Sequence, residues 1–347
     1  MAFLSFPDGA IAPVSKERQS SARVPGARHP PVKLIYIAGY GRSGSTLLDI
    51  ALGQHPSIMG AGEVTTLSRH VWENDEYCAC GAPVQDCPIW KPIVEQWRDD
   101  EPISLMAEYR TEQEKSESIV GGRLFHATRH QNHVRRTVKL LQTMSAISGR
   151  PVLVDSSKLP GRASALAKMP GIELYVIHLV RDGRGVAWSL SKGYRRQVDQ
   201  GLQRDLRPKP LIYTAIRWAS VNIATGALCR RLGPDRSLCV RYEDFVADPR
   251  ETIGKIIALV GEQKPDWLTD PEHRPLEPHH QVAGSRHRMQ RSITVQKDEK
   301  WKTEMPRWKQ RAFTFLTAPL MRRYGYSLCS FSGRSLSGRP FSGEDLI

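Results

Sequence analysis

The sequence predicts an α/β fold, a P-loop-like doubly wound parallel sheet with helices on both faces and a helical insertion. Three observations carry that reading. Short apolar runs alternate with helical patterns, the first run breaks into a glycine-rich segment that opens a helix, and a later run ends in an arginine-rich turn that opens another. Lys33 to Gly39 is the first strand, rich in β-branched and aromatic residues, and the helical pattern from Ser45 through Gly53 follows it. A second strand is expected to end near Ile58-Met59. Pro151 to Val154 is the next, before a Ser/Lys/Pro/Gly loop and a helix over 161–168; Glu173 to Val180 precedes Asp182 and a helix over 183–192; Ser237 to Val240 is a further strand. In such sheets ligands bind beyond the carboxyl ends of the strands.

Helical patterns over 89–98, 103–118 and 129–148 form the insertion between the first βα units, and the run from Tyr213 to Leu232 reads as the best amphipathic helix of the chain. Residues 271–300 show no sustained period and read as a long loop, of the kind that in a compact domain is usually functional or mobile. Residues 1–31 and 330–347 are rich in Ser, Pro, Gly and Arg and are expected to be flexible tails around a single domain of residues 32–329, with 65–150 as its helical insertion.

The 347 residues carry 50 Lys+Arg against 36 Asp+Glu, a net charge of +14, with 40% apolar residues. That composition excludes a wholly disordered chain and favours an anionic partner. No run approaches the 18 or more apolar residues of a membrane span, Pro7 and Asp8 interrupt the only apolar stretch at the start, and a cytoplasmic location is the default expectation. Six cysteines in a chain this long do not make a disulfide scaffold.

Gly39-Tyr40-Gly41-Arg42-Ser43-Gly44-Ser45-Thr46 has P-loop spacing, with Ser45 where the lysine of that motif stands. Placed between a strand and a helix, its glycines let backbone N–H groups turn inward toward an anion, and the helix start adds partial positive charge. Loss of the lysine weakens a kinase or triphosphatase reading, although Arg42 partly substitutes for it. Arg181-Asp182-Gly183-Arg184-Gly185 offers a second anion site at the end of the 173–180 strand, with Asp182 as helix cap and Arg184 and Ser189 on the helix. Two such sites suit a nucleotide with two anionic ends.

Gly41 to Leu48, Gln54-His55-Pro56, Gly62-Glu63, Leu179 to Arg184 and Arg241-Tyr242-Glu243-Asp244 together resemble the sulfotransferases that use 3′-phosphoadenosine 5′-phosphosulfate, over about residues 33 to 302. The loop is most similar to the arginine type of the bacterial, Golgi carbohydrate and tyrosylprotein branches. The cytosolic steroid and phenol branch has Lys in place of Arg42 and a histidine base. The resemblance implies that Arg42, Ser43, Gly44, Ser45 and Thr46 hold the 5′-phosphosulfate, that Arg181 and Ser189 hold the 3′-phosphate with help from Arg184, and that Tyr242 belongs to the same nucleotide site. It assigns the general base to Glu63 and contact with the transferring group to Lys158. Gly284-Ser285-Arg286-His287-Arg288 departs from the family's Gly-Asn-x-x-Arg in having Ser285 for Asn, and Arg288 is carried over as a nucleotide contact; Asp298 and Trp301 match its Asp-x-x-Trp.

Sulfuryl transfer needs a base for the acceptor hydroxyl and cations for the leaving oxygens. Glu63 lies where a carboxylate faces the crevice, with His55 and His70 as competing bases. Arg42 and Lys158 supply the charge, and no divalent metal is expected for the transfer itself. The acceptor stays open among carbohydrate, phenol and tyrosine hydroxyls. Cys78, Cys80 and Cys87 fit three readings: zinc ligands with His70 or a remote fourth, a redox-sensitive pair, or thiols on a packed loop beside Trp90 near the acceptor cleft. Two rival functions are a degenerate P-loop kinase or NTPase, with Asp155 as its metal-binding acid, and a non-catalytic basic nucleotide or nucleic-acid binder. No nucleic-acid reader motif is present in the sequence, so no nucleic-acid partner is expected.

Overall fold

The computed structural model describes residues 30–99, 104–197, 203, 205–268 and 275–328. The tails expected over 1–31 and 330–347 lie outside these residues, apart from residues 30 and 31. Five parallel strands form one sheet: β1 (Val32–Ala38), β2 (Ile58–Gly60), β3 (Val152–Lys158), β4 (Ile172–Val180) and β5 (Ser237–Arg241), in the order β2-β3-β1-β4-β5. The chain enters at the centre, fills one side through β2 and β3, then crosses to β4 and β5. That reversal about β1 opens a crevice at the carboxyl edge of the sheet.

Both faces of the sheet are covered, which is why the central strands are apolar at nearly every position. Leu34 and Tyr36 of β1 pack on one side with α2 (Trp90–Arg98), α3 (Leu105–Ser116), α5 (Gln131–Ser148) and α6 (Pro160–Leu166). Ile35 and Ile37 face α1 (Ser45–Gly53), α9 (Tyr242–Ala247) and α10 (Pro249–Leu259) on the other. A third cluster joins α7 (Gly183–Leu190), α8 (Leu211–Leu232) and α12 (Arg307–Arg323) around Trp218 and Phe313. The short helices α4 (Ile119–Arg123) and α11 (Trp301–Glu304) complete the set among the described residues. None of the helices there is long and apolar enough to cross a membrane.

Two expectations need correction. The strand placed over 151–154 runs on through Ser156 and Ser157 to Lys158, so the expected loop begins only at Leu159. And α8 is not the best amphipathic helix: it buries Trp218, Val221 and Leu228, yet its outer side exposes Ile212, Ile216 and Ile223. Its apolar residues surround the axis, whereas α2 confines Trp90, Ile93, Val94 and Trp97 to its buried side.

Candidate active site

The loop after β1 is held open by backbone conformations that suit glycine. Gly39 has φ 147°, and a Cβ there would meet the Leu179 carbonyl oxygen of the neighbouring strand at 2.3 Å. Gly44 has φ 89° and abuts the Tyr242 ring, 2.6 Å from where its Cβ would be. Between them Arg42 takes φ 68°, an uncommon conformation for a side-chain-bearing residue. As the residue before α1, Gly44 gives no side-chain cap, so the first N–H groups of the helix stay open to a ligand. Ser43 Oγ is buried with no hydrogen-bond partner among the described residues, a further donor suited to an anion. Arg42 stands beside the Tyr194 ring (5.9 Å), and burial lowers its pKa, against the opposing effects of Tyr194 and Glu63.

Arg181, just after β4, sits over the Tyr242 ring (4.4 Å) and donates to the Arg42 carbonyl (3.0 Å). It thereby ties the β4–α7 turn to the loop after β1. Its other nitrogen donates to the carbonyl and the carboxylate of Asp298, both at 3.0 Å. Asp298 is exposed, and although partial desolvation opposes its ionisation, Arg181 holds its pKa below the ordinary value. Asp182 caps α7 through the Arg184 N–H (2.9 Å), as expected. Arg184 is largely engaged within the protein, bonded to both Asp182 oxygens (3.0 and 2.7 Å) and the Ser327 carbonyl, and stacked on Trp301 (4.6 Å). Ser189 sits half-buried near the end of α7.

Opposite the loop, Lys158 Nζ meets Glu63 Oε1 at 2.5 Å, and both side chains keep about a fifth of their surface exposed. Lys158 ends β3 with φ 70° and also donates to the Ser156 carbonyl (3.1 Å). Glu63 is placed by backbone on two sides. Its N–H donates to the Val282 carbonyl (2.9 Å), while the Gly62 N–H donates to Asp49 Oδ2 (3.0 Å). Gly62 and Val282 form a parallel bridge so close that a Cβ on Gly62 would lie 2.2 Å from the Val282 oxygen. Two residues on, Gly284 packs on Thr46 Oγ1, and the Ser285 N–H donates to that same oxygen (3.1 Å). The segment around 282–285 thus touches both Thr46 at the start of α1 and Glu63.

The other sequence candidates have different surroundings. His55 is buried in a turn, its Nδ1 accepting from the Ser57 N–H (3.1 Å) and its Nε2 bonded to the Gln263 carbonyl (2.8 Å). His70 pairs with Glu76 (2.8 Å). Neither matches the position of Glu63. Asp155, the acid a kinase reading needs, is buried and ion-paired with Arg162 (2.8 Å), and also bonds the Ser157 N–H (2.9 Å) and hydroxyl. Arg288 is buried and donates to the Tyr77 carbonyl (3.0 Å); burial lowers its pKa, opposed by Glu76, Cys78 and Glu63. Trp90 is fully buried and bonded to the His280 carbonyl, so it is a core residue.

Sequence reasoning passed over Asp49 and Tyr194. Asp49 is fully buried, which raises its pKa from 3.8 to about 7, against the hydrogen bond that its Oδ2 accepts from the Gly62 N–H (3.0 Å). A carboxylate in the otherwise apolar run Leu47 to Leu52 is the signal that points to it. Tyr194, between Arg42 and Arg286 (5.6 Å), has no such signal.

The model of the Sulfotransferase family matches residues 35–266, a stretch that begins within β1, contains β2 to β5 and includes the residues of the site up to Tyr242. Among curated proteins no sequence relative matches the chain. Two solved structures share its fold. The sulfotransferase domain of the olefin synthase from Synechococcus PCC 7002 is 19% identical with a TM-score of 0.50, covering 87% of this chain and 98% of that one. The sulfotransferase domain from the curacin biosynthetic pathway is 18% identical with a TM-score of 0.51, covering 87% and 100%.

Proposed function

Since this chain belongs to the sulfotransferase family, we propose that it moves a sulfuryl group from 3′-phosphoadenosine 5′-phosphosulfate to a hydroxyl-bearing acceptor, a carbohydrate, phenol or tyrosine. The observation that supports this most is the meeting of a carboxylate and three cations at one edge of the sheet. Glu63 follows β2, Lys158 ends β3, Arg42 follows β1 and Arg181 follows β4. Arg42 and the open N–H groups at the start of α1 bind the 5′-phosphosulfate, with Ser43, Gly44, Ser45 and Thr46 forming its cradle. Arg181, with Ser189 and Arg184, takes the 3′-phosphate, Tyr242 braces Arg181, and Arg288 closes the site from the 286–289 turn.

In the reaction Glu63 accepts the acceptor's hydroxyl proton as that oxygen bonds to sulfur. The bond from sulfur to the bridging phosphate oxygen breaks, and its electron pair leaves with adenosine 3′,5′-bisphosphate. Lys158 and Arg42 stabilise the negative charge that grows on the leaving oxygens. The 2.5 Å pair of Lys158 and Glu63 holds the carboxylate beside the crevice until the acceptor arrives. Residues 65–150 shape the acceptor side.

The test is transfer of labelled sulfate to panels of sugar, phenol and tyrosine acceptors, with thermal-shift titrations of adenosine 3′,5′-bisphosphate, ATP with Mg²⁺ and an oligonucleotide. Transfer to one class together with stabilisation by the bisphosphate is expected. Stabilisation by ATP with Mg²⁺ alone, without transfer, would refute the proposal in favour of a kinase or NTPase.

A further inference from the structure

Three thiols and an imidazole converge on one point of this molecule, outside the site just described. Cys78, Cys80 and Cys87 lie on the turns between the 67–71 segment and α2, and His280 arrives from a segment about two hundred positions later. The four side chains each offer one ligand atom, and these atoms all lie within 4.8 Å of one another. Cys80 Sγ is 3.8 Å from Cys87 Sγ, and His280 Nδ1 is 3.8 Å from Cys78 Sγ and 3.4 Å from Cys87 Sγ. Those spacings have a simple geometric meaning. Zinc bonds of about 2.3 Å to sulfur and about 2.0 Å to nitrogen, arranged tetrahedrally, put ligand atoms about 3.8 Å apart for two sulfurs and about 3.5 Å apart for sulfur and nitrogen. A disulfide, at about 2.05 Å, does not fit the 3.8 Å between Cys80 and Cys87.

The backbone around the cluster is fixed as a metal site requires. Cys78 and Gly81 close a turn, with the Gly81 N–H on the Cys78 carbonyl and the Cys78 N–H on the Ala82 carbonyl. On the far side the Ala79 N–H donates to the Gln281 carbonyl and Trp90 Nε1 donates to the His280 carbonyl (2.6 Å). Both strips of chain are thus docked before any ion is added. Cys78 and Cys87 are buried, His280 is half-buried and Cys80 reaches the surface, so an ion has a path in. Oxygen-seeking cations do not suit three sulfurs and one nitrogen, and four protein donors leave no open position for catalysis.

We propose that Cys78, Cys80, Cys87 and His280 bind one Zn²⁺ in a closed structural site that fastens the 275–285 segment to the insertion. Two residues beyond His280, Val282 receives the Glu63 N–H, and Ser285 reaches Thr46. The ion therefore anchors the strip that touches both halves of the active site without taking part in the transfer.

The full chain, made without a histidine tag in zinc-supplemented medium and desalted under reductant, is assayed for metal by mass spectrometry. About one zinc per chain is expected, and replacing it with Co²⁺ should give the visible absorption of a tetrahedral thiolate site. Cys80→Ser, chosen because Cys80 is exposed, and His280→Asn should each lose most of the zinc, while Cys229→Ser keeps it. Wild-type protein that is folded by circular dichroism yet holds less than about a tenth of an equivalent would overturn the site. So would full zinc in both Cys80→Ser and His280→Asn, or a Cys80–Cys87 disulfide in the reduced preparation. None of these readouts depends on sulfuryl transfer.

Discussion

At Glu63 a carboxylate and an ammonium meet at 2.5 Å in a half-open crevice, and the adjoining backbone fixes where the carboxylate points. Glu63→Gln keeps the shape and loses only the ability to take a proton. It should lower single-turnover sulfuryl transfer by roughly 10² to 10⁴ while leaving affinity for adenosine 3′,5′-bisphosphate unchanged. Mild loss there with severe loss in a His55 or His70 variant would move the base to a histidine. Asp49 makes a different forecast. Burial raises its pKa to about 7, above the unfolded value of about 3.9, so the folded chain holds this proton more tightly than the unfolded one. Its contribution to stability is fully present below pH 4 and is lost as pH rises through 7. Asp49→Asn still offers an oxygen to the Gly62 N–H without a buried charge. Urea unfolding should find it more stable than wild type at pH 8 by up to a few kcal/mol, with the difference shrinking toward pH 5. The oddity of Asp49 was visible in the sequence, but its bond to Gly62 was not, because two segments must fold together before it exists.

The strand, loop and helix units were the most legible elements. The β1–α1 and β4–α7 units leave local marks: an apolar run, glycines at the turn and, for α7, Asp182 as a cap. Gly39 and Gly44 show why the loop has little freedom to vary. Gly44→Ala would combine φ 89° with contact against the Tyr242 ring and should cost on the order of 1–3 kcal/mol in stability, together with nucleotide affinity. The length of β3 was less legible, because Ser156, Ser157 and Lys158 read as a polar loop until Asp155 and Arg162 are seen to satisfy that buried end. The amphipathic reading of α8 failed at the packing level: its helical spacing is real, but apolar residues lie on its exposed side as well as its buried one. For the β4–α7 turn, the pairing of Arg181 with Asp298 shows that a carboxylate already occupies the guanidinium. Adenosine 3′,5′-bisphosphate should bind more than tenfold tighter than AMP, a difference of at least about 1.4 kcal/mol. Arg181→Ala should abolish that preference in a calorimetric titration.

Across the whole molecule, the insertion is joined to the sheet by ions as well as by apolar packing. Arg162 is fully buried between Asp155 of β3 and Glu117 after α3, and Glu117 also meets His133 of α5 at 3.2 Å. Arg162→Met would strand two carboxylates away from water, and chemical denaturation should show a loss of about 3–5 kcal/mol. Sequence reading located the insertion but not this clasp, whose members are spread over four elements. The bridge between Gly62 and Val282 has a further consequence, for the order in which the protein is made. The bond from Ser285 to Thr46 spans 239 positions. On the ribosome, then, the phosphate loop and all five strands emerge well before the strip that completes the pocket. Long-range closure of this kind is slow relative to local helix formation. After dilution from denaturant, far-ultraviolet circular dichroism should recover before bisphosphate binding does. A nascent chain therefore passes through an interval in which its sheet is assembled and the strip bridging Gly62 and Thr46 is still missing.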